Sequence, residues 1–177
     1  MEPLEATRGQ LSEQLAEASF RRLYTEHGRE MLAYALRRVS DPEDAADVVA
    51  ETFLVAWRRL EDVPPGAQAR LWLYGVARRT LANQRRGERR RERLGERLRA
   101  DLVPALAEPP EPPDPDVLAA LERLGPEDRE ILRLSAWEEL SPSELATVLG
   151  TSAVAARSRL HRARRRLRRA LEEGGGP

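Results

Sequence analysis

The sequence contains no cysteine and no lysine, and it has only two histidines, His27 and His161. The missing thiols exclude disulfide bonds, thiolate metal sites and a cysteine nucleophile. Two histidines are too few for a histidine-rich metal site. Aromatic residues make up 5% of the chain, so the core must be built mainly from leucine, valine and alanine. We expect no metal and no other cofactor.

No apolar run approaches the roughly 20 residues that a membrane-spanning helix needs. The first ten residues are charged and lack the apolar stretch of a signal peptide. These two absences predict a soluble, cytoplasmic protein that does not insert into a membrane. The sequence shows neither a nucleophile paired with a base nor a phosphate-binding glycine loop, so we expect that the protein is not an enzyme.

Charge is strongly segregated along the chain, although 30 acidic and 30 basic residues give a net charge of zero. Residues 78–99 hold ten arginines and three acids, and residues 151–177 hold eight arginines and two acids. The segments 41–62 and 101–130 are acidic. This pattern indicates two anion-binding surfaces on one chain or, alternatively, helix faces that are merely solvated.

Apolar residues recur at helical spacing, and no stretch alternates at the period of two that strands show. We therefore predict an all-α fold. Six prolines at 104–115 exclude a helix there and favour an extended, acidic linker between two small helical domains. Residues 1–18 have a weak helical pattern and form either a disordered or a partner-binding extension. The predicted boundaries are 1–18 for this extension, 19–99 and 116–172 for the domains, 100–115 for the linker and 173–177 for a tail.

Residues 141–167 have the layout of a helix-turn-helix. Residues 141–144, Ser-Pro-Ser-Glu, form a capping box with proline at the first helical position. Gly150 suits the left-handed position that ends a helix. A longer basic helix then begins at about residue 152, in the place of the helix that enters the major groove of DNA.

The final predicted helix is two-sided when its residues are placed about 100° apart. One face is apolar and consists of Ala153, Ala156, Leu160, Ala163, Leu167 and Leu171. The opposite face carries Arg157 at its edge and Ser158, His161, Arg162, Arg165 and Arg169. Arginine binds guanine edges in bidentate fashion and neutralises phosphates, so this face favours DNA. A solvated face or a protein-binding face is the alternative.

Two helices in the N-terminal half also carry charge. The helix that starts at Asp41-Pro42 has three acids on one face, Asp44, Asp47 and Glu51. No converging carboxylates from a second element are evident, so a docking face for a basic partner is favoured over a metal site. The next helix mixes Trp72 and Tyr74 with arginines, which suits stacking on single-stranded nucleic acid, unless Trp72 belongs to the core.

Four segments together resemble a known family. DPEDAADVVAETFLVAWRRL at 41–60 and LWLYGVARRTLANQRR at 71–86 resemble domain two of an extracytoplasmic-function (ECF) sigma factor. ALERLGPEDREILRL at 120–134 and LSPSELATVLGTSAVAARSRLHRARRRLRRAL at 140–171 resemble its domain four. The resemblance covers about residues 19–172, in the right order and with a linker between.

This resemblance implies an alternative sigma factor for transcription initiation. Such a protein binds core RNA polymerase at the β′ clamp helices and the β flap, recognises the promoter minus-ten and minus-thirty-five elements, and promotes DNA opening. Many relatives also have an anti-sigma factor as a partner. A helix-turn-helix regulator that acts without polymerase, and an adaptor for an acidic protein, are the alternatives.

The resemblance also assigns roles to residues. Polymerase docking falls on Asp47, Ala50, Glu51, Leu54 and Trp57. Contacts to the minus-ten element fall on a loop, Pro64, Pro65, Gly66, Ala67 and Gln68, and on Arg78, Arg79, Asn83 and Arg86. Contacts to the minus-thirty-five element fall on Arg157, Ser158, His161 and Arg162, to which the helical face adds Arg165.

The chain departs from the family pattern at three of these places, one of which is Arg79, where many relatives have asparagine. The family often has glutamine where this chain has Ala50, which predicts one polar contact fewer. Pro64-Pro65-Gly66 replaces polar residues in the minus-ten loop.

Overall fold

The computed structural model describes residues 2–84 and 114–174. Within these ranges the chain forms α-helices and no strand, which confirms the all-α prediction. The predicted arginine block at 85–93 and residues 100–113 of the predicted linker lie outside the described residues. The helices are α1 (Glu2–Leu36), α2 (Pro42–Arg58), α3 (Ala67–Gln84), α4 (Pro115–Glu122), α5 (Pro126–Ala136), α6 (Pro142–Leu149) and α7 (Ala153–Gly174), with a 3₁₀ turn at Leu60–Asp62.

The chain divides into two compact units, Met1–Pro110 and Glu111–Pro177, called here the N-terminal and the C-terminal unit. The first helix of the N-terminal unit already begins at Glu2. The glutamate, leucine, alanine and glutamine content of residues 2–18 favours a helix. No helix in the described ranges has an apolar stretch long enough to cross a membrane.

Helix α2 begins where the sequence predicts. The Asp41 carboxylate accepts the backbone N–H of Glu43 at 2.8 Å, and Pro42 occupies the first helical position. Glu43 and Asp44 lie in the first turn, where the helix dipole favours negative charge. Local sequence signals alone account for this helix start.

Helix α2 is central to the N-terminal unit because it packs against both α1 and α3. Its Phe53 ring meets the rings of Phe20 and Tyr24, both from α1, edge to face at centroid distances of 6.2 and 5.0 Å. The buried side of α2 is otherwise built from small and branched residues, Ala45, Ala46, Val48, Val49, Ala50, Thr52, Leu54 and Ala56. Three helices therefore share one core, in which aromatic rings join α1 to α2.

In the C-terminal unit, α4, α5 and α6 each pack against the long helix α7. The core is aliphatic and includes Leu121, Ile131, Leu134, Leu145, Val148, Ala156, Leu160 and Ala163. The Arg123 guanidinium also donates to the carbonyl of Ala170 at 3.2 Å, which holds the distal part of α7 near α4.

The predicted capping box and glycine turn are both present between α5 and α7. The Glu144 N–H donates to Ser141 Oγ at 3.4 Å, and the Ser141 N–H donates to Glu144 Oε2 at 2.8 Å. Helix α6 ends at Gly150, whose φ of 63° is left-handed. Residues 150–152 lead into α7, which completes the helix-turn-helix.

Replacing Gly150 by alanine should lower the free energy of unfolding by about 1–2 kcal/mol, because a Cβ in the left-handed conformation crowds the following carbonyl oxygen. Apart from its chain neighbours, nothing lies within 4 Å of the added Cβ, so backbone strain is the cause. Urea denaturation followed by circular dichroism measures the loss.

Gly125→Ala is the matched control, because its added Cβ also meets open space and its φ is −62°. This change should alter stability by less than about 0.5 kcal/mol. Equal losses in both variants would contradict the strain argument.

Candidate nucleic-acid interface

Helix α7 has one face packed into the C-terminal unit and one face exposed. The buried or half-buried residues include five from the predicted apolar face, Ala156, Leu160, Ala163, Leu167 and Leu171. Ala153, which the periodicity places with them, is exposed. The prediction for Ala153 is wrong because the first turn of α7 extends beyond the helices that cover the rest.

Three arginines of α7 are held by side chains of α5. Such contacts link α7 to α5, although Arg164 and Arg166 keep exposed surface. The sequence alone does not separate these arginines from the others. The pairs are Arg159 with Glu127 at 3.7 Å, Arg164 with Ser135 at 3.2 Å, and Arg166 with Asp128.

The five residues predicted to contact the minus-thirty-five element lie on α7. All of them are exposed: Arg157, Ser158, His161, Arg162 and Arg165. Arg162 donates to Ser158 Oγ at 2.6 Å, which aligns its guanidinium along the helix surface. Three guanidinium groups on one exposed face create a positive potential that attracts phosphate groups. The structure therefore brings this predicted set together on one surface.

In the N-terminal unit, five of the predicted minus-ten residues lie at 64–68, where the loop after the 3₁₀ turn leads into the first turn of α3. This segment is called here the 64–68 loop. Pro64 is half-buried, and the next four residues, Pro65, Gly66, Ala67 and Gln68, are exposed. Gly66 adopts a left-handed φ of 62°, which an L side chain would strain. Just before the loop, Arg59 Nε donates to Asp62 Oδ2 at 2.8 Å.

This loop lines a groove of about 940 Å³. Helix α1 contributes Leu15, Ser19 and His27 to the lining, and α2 contributes Trp57. A volume of this order is typical of pockets that hold small-molecule ligands. The contribution of Leu15 was not predicted, because its segment has only a weak helical pattern and no recognisable motif.

Helix α3 carries further predicted minus-ten residues. Arg79 and Asn83 are exposed and Arg78 is half-buried, whereas Arg86 lies outside the described residues. Trp72 is half-buried, so part of its ring surface belongs to the fold. The exposed part of α3 is therefore basic and polar.

Tyr74 does not serve the stacking role that the mixture of aromatics and arginines suggests. It is buried, with 1% of its surface exposed, and its hydroxyl donates to Glu30 Oε1 at 2.9 Å. Arg70 Nη1 lies 3.3 Å from the same oxygen. Tyr74 and Arg70 thus connect α3 to α1, and a nucleic acid does not reach Tyr74.

The predicted polymerase-docking residues divide into surface and core. Asp47 and Glu51 are half-buried, and 38% of Trp57 is exposed. Ala50 and Leu54 are 1% and 4% exposed and belong to the buried side of α2. Their assignment to polymerase docking stays a prediction.

The described residues contain no cluster of three or more histidine, aspartate or glutamate side chains placed to hold a metal ion. The acids of α2 lie along a single helix and form a charged surface. A basic helix or a cationic surface is the complementary partner for such a face.

Two family models match this chain, one in each unit. Sigma-70 region 2 matches residues 23–91, and Sigma-70, region 4 matches residues 116–167. The fold and the exposed basic helix thus define a protein of the sigma-70 class, with a helical N-terminal unit and a helix-turn-helix C-terminal unit.

Relatives narrow this class to one family. The ECF RNA polymerase sigma factor SigL of Mycobacterium tuberculosis is 38% identical over 169 residues, covering 89% of this chain and 92% of SigL. The RNA polymerase sigma factor CnrH of Cupriavidus metallidurans is 33% identical over 170 residues, covering 87% of each chain. The chain belongs to the ECF sigma factors, which are DNA-binding alternative sigma factors of transcription initiation.

Solved structures show the same fold. CnrH in complex with the cytosolic domain of CnrY matches with a TM-score of 0.60 and 28% identity, covering 92% of this chain and 96% of that chain. The sigma factor RpoE, in complex with the anti-sigma factor NepR from Bartonella quintana, matches with a TM-score of 0.53 and 22% identity, covering 90% of this chain and 96% of that chain. The second likeness concerns the fold alone.

The hydrogen bond between Tyr74 and Glu30 should contribute about 1 kcal/mol to the stability of the N-terminal unit. Tyr74→Phe should therefore lower the free energy of unfolding by about that amount. In a Glu30→Ala background the same change should cost much less, because the acceptor has been removed. A double-mutant cycle by urea denaturation measures this difference, and an equal cost in both backgrounds would contradict it.

Proposed function

We propose that this chain binds core RNA polymerase in the cytoplasm and directs it to promoters, with residues 19–99 acting at the minus-ten element and residues 116–172 at the minus-thirty-five element. One observation carries the proposal. Three arginines of α7 contact side chains of α5 and flank the buried stripe, whereas Arg157, Arg162 and Arg165 are exposed on the side away from that stripe. A helix that only stabilised the C-terminal unit would not need this second set.

The minus-thirty-five element is contacted by the exposed face of α7. Arg157 and Arg162 are placed to contact base edges or phosphates in the major groove, together with Ser158, His161 and Arg165. A bidentate arginine–guanine contact discriminates between bases by about 1–3 kcal/mol. The phosphate contacts make binding depend on salt.

The minus-ten element is opened and held by the N-terminal unit. Unstacking a base costs a few kcal/mol, so the protein must bind the single strand more tightly than the duplex. The groove beside the 64–68 loop supplies a concave surface for an extruded base. Arg78, Arg79, Asn83 and Arg86 supply contacts to the separated strand.

Polymerase is bound through the acidic surface of α2, formed by Asp47, Glu51 and Trp57. We assign the β′ clamp helices as the partner of this surface and the β flap as the partner of the C-terminal unit. The relationship to SigL over 89% of this chain favours this function over a polymerase-independent regulator or an adaptor for an acidic protein.

An anti-sigma factor is a further proposed partner. CnrH, which is 28% identical in its solved structure, is there in complex with the cytosolic domain of CnrY. We propose that a comparable anti-sigma factor binds and inhibits the present chain.

The double variant Arg157→Ala/Arg162→Ala should lose most of its dependence on the minus-thirty-five element, because two cationic side chains are removed from one face. Run-off transcription with core polymerase, on promoters with an intact or a scrambled upstream element, measures this dependence. The salt dependence of promoter binding should also fall, by about one unit of log–log slope for each phosphate that the variant no longer neutralises.

Arg159→Ala is the control on the same helix, since Arg159 faces Glu127. This variant should keep the upstream-element dependence. Unchanged transcription by the double variant would refute the assignment of α7 as the recognition helix.

Charge reversal of the α2 surface, Asp47→Arg/Glu51→Arg, should weaken binding to core polymerase at least tenfold, because like charges would then meet across the interface. Fluorescence anisotropy with labelled protein and purified core enzyme measures the affinity. Glu61→Arg reverses an exposed acid outside this surface and should leave the affinity within about twofold. Equal weakening by both changes would contradict this assignment, because the affinity for core polymerase would then depend only on the net charge of the protein.

A further inference from the structure

The first turn of α7 carries an exposed apolar side chain that the proposed contacts leave unexplained. Val154 is 73% exposed. Among the large hydrophobic residues that the structure describes as exposed, Leu15 at 62% and Trp57 at 38% are the others, and both lie in the N-terminal unit. Burying this side chain against an apolar group of a partner would be favourable.

Val154 lies on the same face of α7 as the proposed DNA contacts. It precedes Arg157, Ser158 and His161 by three, four and seven residues, which are the spacings of one helical stripe. Ala156 and Leu160, which are buried against the other helices, lie on the opposite side. The side chain that approaches DNA first, one turn before the arginines, is therefore apolar.

The residues around Val154 offer DNA little else to bind. Ala153 and Ala155 are exposed but carry only methyl groups. The Ser152 hydroxyl accepts the backbone N–H of Ala155 at 3.1 Å and thereby caps the helix. Val154 is thus larger than the alanines on either side of it. The first polar side chain that follows it is that of Arg157.

The major groove presents few apolar features to such a side chain. The C5 methyl group of thymine is the apolar group at the base edges, whereas the other edge groups are hydrogen-bond donors and acceptors. Valine placed against those polar groups or a phosphate would remove water without supplying a hydrogen bond, which is unfavourable. The N-terminal residues of a recognition helix are those that reach base edges.

We infer that Val154 contacts the C5 methyl group of a thymine in the minus-thirty-five element and thereby selects thymine at that position. This inference rests on the proposed DNA-binding role of α7. Val154 thereby joins the five polar residues assigned above as an apolar contact. The part of the base that it contacts is the thymine methyl group.

Deoxyuridine substitution tests the contact directly, because uracil lacks only the methyl group. The reconstituted holoenzyme is bound to promoter duplexes, selected from a library, in which each thymine of the upstream element is replaced in turn. For the unmodified chain, one position should show about three- to fivefold weaker binding with uracil, the effect of burying one methyl group. Val154→Ala should bind the thymine and uracil duplexes equally at that position.

Arg159→Ala is the control on the same helix, because Arg159 pairs with Glu127, and it should leave the thymine preference intact. Two results would overturn the inference: no thymine whose methyl group matters, or the same uracil effect in Val154→Ala. Either result leaves the proposed function standing if Arg157→Ala/Arg162→Ala still abolishes upstream-element dependence. Failure of the holoenzyme to select any promoter would instead refute the proposed function itself.

Discussion

The packing of α7 against three short helices is the constraint on which the C-terminal unit depends. Ala156, Leu160 and Ala163 are buried on one side of α7, and this burial fixes the rotation of the helix about its own axis. Once that rotation is fixed, the position of each arginine around the helix axis decides whether its side chain can contact α5 or lies away from the buried stripe. The apolar stripe thus determines which cations are available for DNA, although it makes no contact with DNA itself.

A similar division exists in the N-terminal unit, where α2 contributes to both core and surface. Ala50 and Leu54 pack inward, whereas Asp47, Glu51 and Trp57 keep exposed surface. The edge of Trp57 is supported by the Phe20 ring at a centroid distance of 5.2 Å. The acidic surface is therefore held by the same aromatic cluster that joins α1 to α2.

Local signals predicted the helices well, because proline, aspartate, serine and glycine define helix ends through nearby atoms alone. The Asp41 cap, the Ser141 capping box and the left-handed Gly150 all follow from neighbouring residues. The periodicity of α7 likewise predicted its exposed face. Contacts between residues that are far apart in the sequence could not be predicted from such local signals. The inward pairing of Arg159 depends on Glu127, and the burial of Tyr74 depends on Glu30, 44 residues earlier in the chain.

The participation of α1 in the N-terminal groove has a consequence for comparing members of the family. The matched region 2 begins at residue 23, yet Leu15, Ala16 and Ser19 line the cleft beside the 64–68 loop. Part of its wall therefore lies upstream of the segment by which the family is recognised. Two homologues with identical loops but different leading helices would therefore have differently shaped clefts.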